Sequence, residues 1–411
     1  METVNIAALL ITMAAVFSYL NYRFIKLPTS IGIMLIAIIM SLSLVLLDFF
    51  EIVNVYGYAS LLFKSIDFNK TLLHGMLSFL LFAGSLHINL NDLIKHKWVI
   101  AVLSTFSVAM STFIVSVLAW LVFALLGIKM PFIYFLLFGA LIAPTDPVAV
   151  MGILKTAGAS KSLETKIAGE SLFNDGVAVV VFLLFFGLLT KGEGITFGNT
   201  ILLFVKEALG GIVFGLTVGW ISYRMLKSVD NYQVEILLTL ALVMGGYALA
   251  DALHISGPIA IVVAGLLIGN KGRYLAMSDN TRERLDSFWE LMDEILNAVL
   301  FLLIGLEILV VTIAKPYLFA GLLIIPAVLL ARFISVGLPI TLMRPFFKFS
   351  PNAIKIMTWG GLRGGISVAL VLSLPPGPQR EALLTVTYIV VIFSILIQGL
   401  TIKHLISGKL K

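Results

Sequence analysis

Apolar runs of about 20 residues recur from one end of the chain to the other, and each can span a bilayer core roughly 30 Å thick as a helix. Hydrophobic residues make up 60% of the 411 residues and charged residues only 12%, whereas a soluble domain carries about 25% charged residues. The runs do not alternate apolar and polar residues, as strands of a membrane β-barrel would. The sequence therefore predicts an all-α polytopic membrane protein with a single domain over 1–411.

We predict thirteen transmembrane helices, at 4–22, 30–48, 70–90, 98–126, 131–152, 164–190, 200–226, 233–253, 256–270, 288–312, 316–343, 352–375 and 381–406. The aromatic segment 49–69, mixed in charge, is expected along the membrane interface. When residues at the ends of the spans are counted with the adjoining loops, 19 of the 28 Lys and Arg residues fall on one side, 6 on the other and 3 in the interior of spans. The positive-inside rule then predicts a cytoplasmic C-terminus and an external N-terminus.

The net charge of +6 belongs to these short connecting loops, so it predicts membrane orientation and no nucleic-acid partner. The chain has no cysteine, which excludes disulfides and thiolate metal sites, and its five histidines are scattered. No cofactor and no enzymatic activity are expected.

Two of the predicted spans are interrupted. The fifth contains Pro144 and Pro147, which remove backbone donors and force the helix to unwind. The twelfth contains the glycine-rich run 360–365, with Arg363 in its middle. Because the two spans are seven apart, they cross the membrane in opposite directions, which is typical of an inverted-topology repeat with two discontinuous crossing helices. The alternative is two unrelated kinks, since Gly and Pro are common in membrane helices.

Three carboxylates lie inside apolar stretches, at Asp146, Glu170 and Asp175. One ionised side chain at the centre of a membrane helix costs about 3 kcal/mol, so such residues usually handle protons or cations. Counted from the turn between the fifth and sixth spans, Asp146 and Asp175 reach similar depths on neighbouring helices.

These residues predict a site for a hard monovalent cation. Its oxygen ligands are expected from Asp175, Asp146, the Ser171 hydroxyl and Thr145. The absence of sulfur and histidine argues against zinc, copper or iron. Burial favours the protonated form of a carboxylate and a nearby cation favours the ionised form, so a proton and a cation compete for the same oxygens. Asp146 has a purely structural alternative, which is to bond the free N–H groups of its own unwound helix.

Asn174 is predicted to belong to the cation- and proton-binding group, and three further residues are predicted to support the site. Glu170 is expected to form a structural ion pair with Arg332, and Arg363 to supply fixed positive charge where the broken helices cross. Asn174 is a neutral amide beside Asp175, where a second acid would carry an extra charge per cycle. The pattern therefore favours an electroneutral exchange of one cation for one proton.

Five motifs resemble the NhaP/NHE branch of the monovalent cation/proton antiporters. They are APTDPVAV (143–150), GESLFNDGVAVV (169–180), NAVLFLLIGLEI (297–308), ARFISV (331–336) and GGLRGG (360–365). The resemblance covers nearly the whole chain. It implies thirteen helices that form a core part, about 98–190 and 316–406, and a dimerisation or scaffold part, about 1–97 and 200–312, with the ion site between them.

The resemblance also implies a role for each site residue. Asp175 matches the essential acid that binds ion and proton, and Asn174 the neighbour that marks electroneutral members. The remaining matches are supporting positions at Thr145, Asp146 and Ser171, the buried ion pair of Glu170 and Arg332, and a core arginine at Arg363. We therefore expect a homodimeric exchanger of sodium or lithium for protons in a microbial cell membrane.

Three alternatives stay open at this point. Oxygen ligands do not distinguish sodium from potassium, so a potassium/proton antiporter on the same scaffold is the first. A channel is less favoured, because channels usually select ions with rings contributed by several subunits. A remote third reading is an intramembrane aspartyl protease with Asp146 and Asp175 as its dyad; such an enzyme would need a Gly-x-Gly-Asp context, whereas Thr145 and Pro147 flank Asp146.

Overall fold

A computed structural model describes residues 3–50, 68, 71–147, 150–152, 154, 159–191, 197–309 and 314–407. Its principal helices are α1 (Thr3–Leu20), α2 (Thr29–Phe49), α3 (Leu77–Leu86), α4 (Leu90–Lys95), α5 (Lys97–Ser104), α6 (Phe106–Leu125), α7 (Phe132–Ile142), α8 (Lys161–Lys191), α9 (Phe197–Lys227), α10 (Tyr232–Ala252), α11 (Gly257–Leu267), α12 (Asp279–Leu306), α13 (Lys315–Met343), α14 (Ala353–Trp359), α15 (Gly365–Leu372), α16 (Pro378–Ile392) and α17 (Gly399–Ser407). Wider π-helical turns cover Asn21–Ile25, Thr71–Met76, Ile268–Gly272 and Phe393–Gln398.

Within the described residues, eight helical stretches are long and apolar enough to cross a membrane, and three shorter apolar helices accompany them. The two remaining predicted spans, the tenth and the twelfth, are not among these eleven. The tenth corresponds to α12, whose first turns are charged, and the twelfth is divided by the break between α14 and α15. The predicted all-α polytopic fold is confirmed. The interfacial prediction for 49–69 falls mostly on residues outside the described part of the chain.

The largest boundary difference is at α12. We predicted the tenth span from residue 288, whereas α12 begins at Asp279, nine residues earlier. Ser278 caps this helix, because its hydroxyl accepts a hydrogen bond from the Thr281 N–H at 3.4 Å. The polar first turns therefore extend the helix beyond its apolar part.

Glycines allow two helices to pack at backbone contact. A Cβ on Gly215 of α9 would lie 2.4 Å from the Ala260 carbonyl oxygen of α11, and one on Gly211 would lie 2.7 Å from that of Ser256. Small residues at this spacing are typical of close helix pairs in membranes.

Packing divides the helices into recognisable groups. One buried apolar cluster is built mainly by α6, α7, α13 and α16, and a second mainly by α3, α10, α11 and α12. The largest cluster joins α1, α2 and the later half of α12 to the region of α14 and α15.

The two broken helices meet at their interruptions. The Asp146 N–H donates a hydrogen bond to the Leu362 carbonyl at 2.8 Å, and the two residues form an isolated antiparallel bridge. The prediction of two discontinuous crossing helices is confirmed. Extended backbone at this depth is possible because it is enclosed by protein and borders a cavity.

Candidate functional site

The crossing point is shaped by residues that cannot continue a helix. Pro144 and Pro147 end α7 and leave Thr145 and Asp146 extended. The facing chain is glycine-rich for a steric reason, since a Cβ on Gly364 would lie 2.6 Å from Asp146 Oδ2. The absence of a side chain at 364 thus gives the Asp146 carboxylate its space.

Arg363 satisfies the carbonyl groups that the broken α7 leaves free. Its Nη1 donates to the carbonyl oxygens of Ala143 at 2.7 Å and Pro144 at 2.8 Å. Its own backbone N–H donates to Ser394 Oγ at 2.8 Å. The side chain is buried, so the guanidinium acts as a cap that holds one broken helix against the other.

A hydrogen-bonded cluster joins the unwound stretch to α8. Asn174 Nδ2 donates to Thr145 Oγ1 at 2.8 Å, and the Thr145 N–H donates to Asn174 Oδ1 at 3.4 Å. The hydroxyl oxygens of Thr145 and Ser171 are 3.1 Å apart. Asn174 is fully buried, and both polar atoms of its amide bond to Thr145. The side chain therefore holds the extended segment against α8.

The buried ion pair predicted from sequence is present. Arg332 Nη1 on α13 lies 2.5 Å from Glu170 Oε1 on α8, and Arg332 Nη2 donates to the Met357 carbonyl at 3.4 Å. Both side chains are at most 4% exposed. The pair therefore links α8 to α13 and α14 without lining the cavity described next.

A cavity of about 530 Å³ gathers the four predicted ligands. Thr145, Asp146, Ser171 and Asp175 all line it. Asp146 also exerts its charge on Asp175, as expected of carboxylates in one compartment. The neutral and charged oxygens present here suit a hard cation better than a transition metal. In the part of the chain that the structure describes, no three His, Cys, Asp or Glu side chains cluster as metal ligands.

The mouth of the cavity lies between α4 and the start of α8. Asp92 is bridged there by Lys95 Nζ at 3.1 Å and by Lys161 Nζ at 3.3 Å. These hydrogen bonds, first from Lys95 and then from Lys161, hold the pKa of Asp92 below its usual value of 3.8. Asp92 and Lys161 also line the cavity, so an approaching ion passes charged groups that are already paired.

Among the cavity-lining residues that sequence reasoning missed, three polar ones come from the later part of the chain. Asp293 and Asn297 come from α12, and Ser367 comes from α15. The available signal was an acid and an amide four residues apart at the start of an apolar run, which puts both on one helix face. Because these two residues are more than one hundred positions from 143–176, no pattern in the sequence indicates that they share a cavity with the predicted ligands.

The motifs and the geometry agree with comparisons to known proteins. The family model described as "Sodium/hydrogen exchanger, transmembrane" matches residues 10–408. The Na(+)/H(+) antiporter NhaP of Pseudomonas aeruginosa is 50% identical over 412 residues, covering 98% of this chain and 96% of that protein. The Na(+)/H(+) antiporter NhaH of Halobacillus dabanensis is 32% identical, covering 94% and 93%.

A solved structure has the same fold. The sodium proton antiporter MjNhaP1 of Methanocaldococcus jannaschii superimposes with a TM-score of 0.78, covering 99% of this chain and 98% of that one at 19% identity. At this identity the likeness speaks for the fold alone. Together with the family match over nearly all residues, it leads to one conclusion: the chain belongs to the sodium/hydrogen exchanger family.

Proposed function

We propose that this protein exchanges one sodium ion for one proton across a cell membrane, using Asp146 and Asp175 as shared ligands. The observation that carries the proposal is the placement of both carboxylates, with Thr145 and Ser171, on one cavity. Proteins similar to this chain are Na(+)/H(+) antiporters by name, which supports sodium as the cation. The family is one of transporters, so the protease alternative loses its support.

Exchange follows from competition at these oxygens. A sodium ion in the cavity stabilises the ionised carboxylates and displaces their proton, and protonation in turn removes the charge that holds sodium. The extended backbone at Thr145 and the Ser171 hydroxyl add neutral oxygen ligands without adding charge. Each time the site changes the side of the membrane to which it opens, it therefore carries either sodium or a proton.

The proposed stoichiometry rests on Asn174. Its amide cannot take up a proton, and both of its polar atoms are engaged with Thr145. Asp175 then releases one proton for each monovalent cation that enters, while Asp146 remains a charged ligand. The result is an electroneutral cycle.

We further propose that the cavity opens to the cytoplasm in this conformation. Its mouth carries Lys161 and lies beside Lys95, on the side where basic residues are concentrated. Toward the other side, α16 touches α12 where Tyr388 Oη donates to the Ile304 carbonyl at 2.6 Å. Because this contact joins the proposed core part to the proposed scaffold part, it must change when the site turns outward.

The core part is proposed to comprise about 98–190 and 316–406, and the scaffold about 1–97 and 200–312. The first contains both proposed ion-binding acids and the second contains Ile304 and Asp293, so motion of one part against the other would carry the site across the membrane.

We propose a homodimer formed through the scaffold part, in a microbial cell membrane, with the N-terminus outside. Since the chain has no cysteine, single cysteines placed near either end and labelled with an impermeant maleimide test the orientation.

The central experiment measures cation-driven proton movement in proteoliposomes containing the purified protein and an internal pH dye. Sodium and lithium are expected to move protons at low concentration, and potassium much less. A response to potassium equal to that for sodium would favour the potassium alternative. No response to any of the three cations would contradict antiport altogether.

A further inference from the structure

Helices α12 and α15 bring polar groups to the cavity that the proposed exchange does not use. Asp293 and Asn297 of α12 line the cavity together with Ser367 of α15. Asp293 is the fifteenth residue of α12, and Asp175 is the fifteenth residue of α8. The two helices thus bring a carboxylate to the cavity after the same number of residues.

Two of these side chains lack the hydrogen bonds that burial normally requires. Asn297 is 4% exposed and Ser367 is 1% exposed. The Ser367 hydroxyl makes no hydrogen bond to the described residues. The Asn297 amide interacts with its cavity neighbour Asp293 but makes no hydrogen bond of normal geometry to the described residues. Buried polar groups without partners are rare in native proteins and call for a functional explanation.

The three residues lie near a contact between α12 and α15. Asp293 and Asn297 are separated by one helical turn and share a face of α12. The same helix contacts the start of α15, where a Cβ on Gly365 would lie 2.5 Å from Leu300 Cδ1. Asn297 precedes Leu300 by three residues and Ser367 follows Gly365 by two, so both lie near this contact.

Charge connects these residues to the exchange site. Asp146 acts electrostatically on Asp293 as well as on Asp175. Arg363 at the crossing donates Nη1 to the carbonyl groups of Ala143 and Pro144. A cation in the cavity therefore experiences the carboxylates of Asp146, Asp175 and Asp293 together.

We propose that Asp293, Asn297 and Ser367 form a second, transient subsite for a partly dehydrated alkali cation on the α12 wall. A carboxylate, an amide carbonyl and a hydroxyl offer the oxygen ligands that such an ion prefers. From this subsite the ion passes across the cavity to Asp146 and Asp175. The inference deepens the proposed sodium/proton exchange and rests on it.

The test compares Asp293→Asn, Asp293→Glu and Asn297→Leu with wild type in two assays. The first is the sodium dependence of exchange in proteoliposomes, and the second is equilibrium binding of ²²Na⁺ to the purified protein. Glu294→Gln is the matched control, because it removes a carboxylate from the exposed neighbouring position of the same helix.

A subsite predicts a split between the kinetic constants. Asp293→Asn should raise KM for sodium about tenfold because the subsite loses affinity, while kcat at saturating sodium stays near wild type. Asp293→Glu should recover most of the affinity, and Glu294→Gln should match wild type. An unchanged KM in Asp293→Asn would overturn the proposal.

Asn297→Leu separates the subsite from a structural role. The substitution removes unpartnered polar atoms at nearly constant volume, so it should raise Tm in either case. The subsite additionally requires a higher KM and weaker ²²Na⁺ binding. A raised Tm with both unchanged would contradict it. If wild type binds ²²Na⁺ but exchanges nothing, the proposed function fails, while the binding data still decide on the subsite.

Discussion

At the scale of single residues, Asp175 differs from Glu170 although they lie five positions apart on α8. Asp175 faces the cavity, whereas Glu170 is closed in an ion pair with Arg332. A carboxylate that faces a cavity can exchange a bound proton for a cation. A carboxylate that is buried away from the cavity and paired with an arginine cannot. The same chemical group is therefore assigned to transport in one case and to structure in the other.

Replacing Asp175 by Asn should reduce exchange by about two orders of magnitude or more, because an amide cannot take up and release the proton. Initial rates of sodium-driven proton movement in everted vesicles measure this. Folded yield should be unchanged, as should the activity of the exposed control Asp279→Asn. Robust exchange by Asp175→Asn would contradict the assigned role.

Replacing Glu170 by Ala should destabilise the protein by about 3–5 kcal/mol, because the Arg332 guanidinium is left buried without its counter-charge. Thermal unfolding of purified protein in detergent tests this. The double replacement Glu170→Met with Arg332→Leu should recover part of the loss, since it leaves no uncompensated charge. A single variant as stable as wild type would disprove the structural role.

At the scale of elements, the two broken helices work as one unit. The bridge between Asp146 and Leu362 aligns the breaks, and Arg363 closes the carbonyl end of α7. Each break alone would expose backbone groups, but together they satisfy one another. The binding position of Asp146 is thus a property of the crossing.

Gly364→Ala tests this unit. The added Cβ would stand 2.6 Å from Asp146 Oδ2, so the carboxylate or the crossing must shift. We expect a stability loss of about 1–3 kcal/mol, as for other overpacked sites, together with weaker sodium affinity. Gly187→Ala on α8, where a Cβ meets nothing within 4 Å, is the control for both measurements.

The salt bridges of Asp92, which connect α4 to α8 at the cavity mouth, are stable only above a defined pH. Because the pKa of Asp92 is lowered below 3.8, its bridges to Lys95 and Lys161 are complete above that value and are lost only as pH falls through the lowered pKa. Asp92→Asn should therefore leave the midpoint of the pH–activity profile near neutrality unchanged. A shifted midpoint would show that Asp92 titrates in the working range.

At the scale of the whole molecule, the cycle is expected to move no net charge. One cation and one proton cross in opposite directions, so the membrane potential does no work on the exchange. A cycle that moved one charge would feel about 2.3 kcal/mol per 100 mV. Clamping proteoliposomes with potassium and valinomycin at different potentials should leave the sodium/proton exchange rate constant, and a graded response would refute one-to-one exchange.

Much of the fold follows from local sequence. Runs of about 20 apolar residues define membrane helices because bilayer thickness sets their length. Pro144, Pro147 and the glycines of 360–365 define the breaks because they act on the backbone at their own positions. The family and the multi-spanning helical fold predicted on this basis are confirmed.

Only the tertiary structure showed several of the contacts that build the site. Three examples join residues more than one hundred positions apart: the carbonyl partners of Arg363, the contact of Asp146 with Leu362, and the presence of Asp293 and Asn297 on the same cavity as Asp175. Helical periodicity determines the face on which a side chain lies, but not which other helix packs against that face. That choice depends on how all the helices fill space together, which no local pattern in the chain encodes.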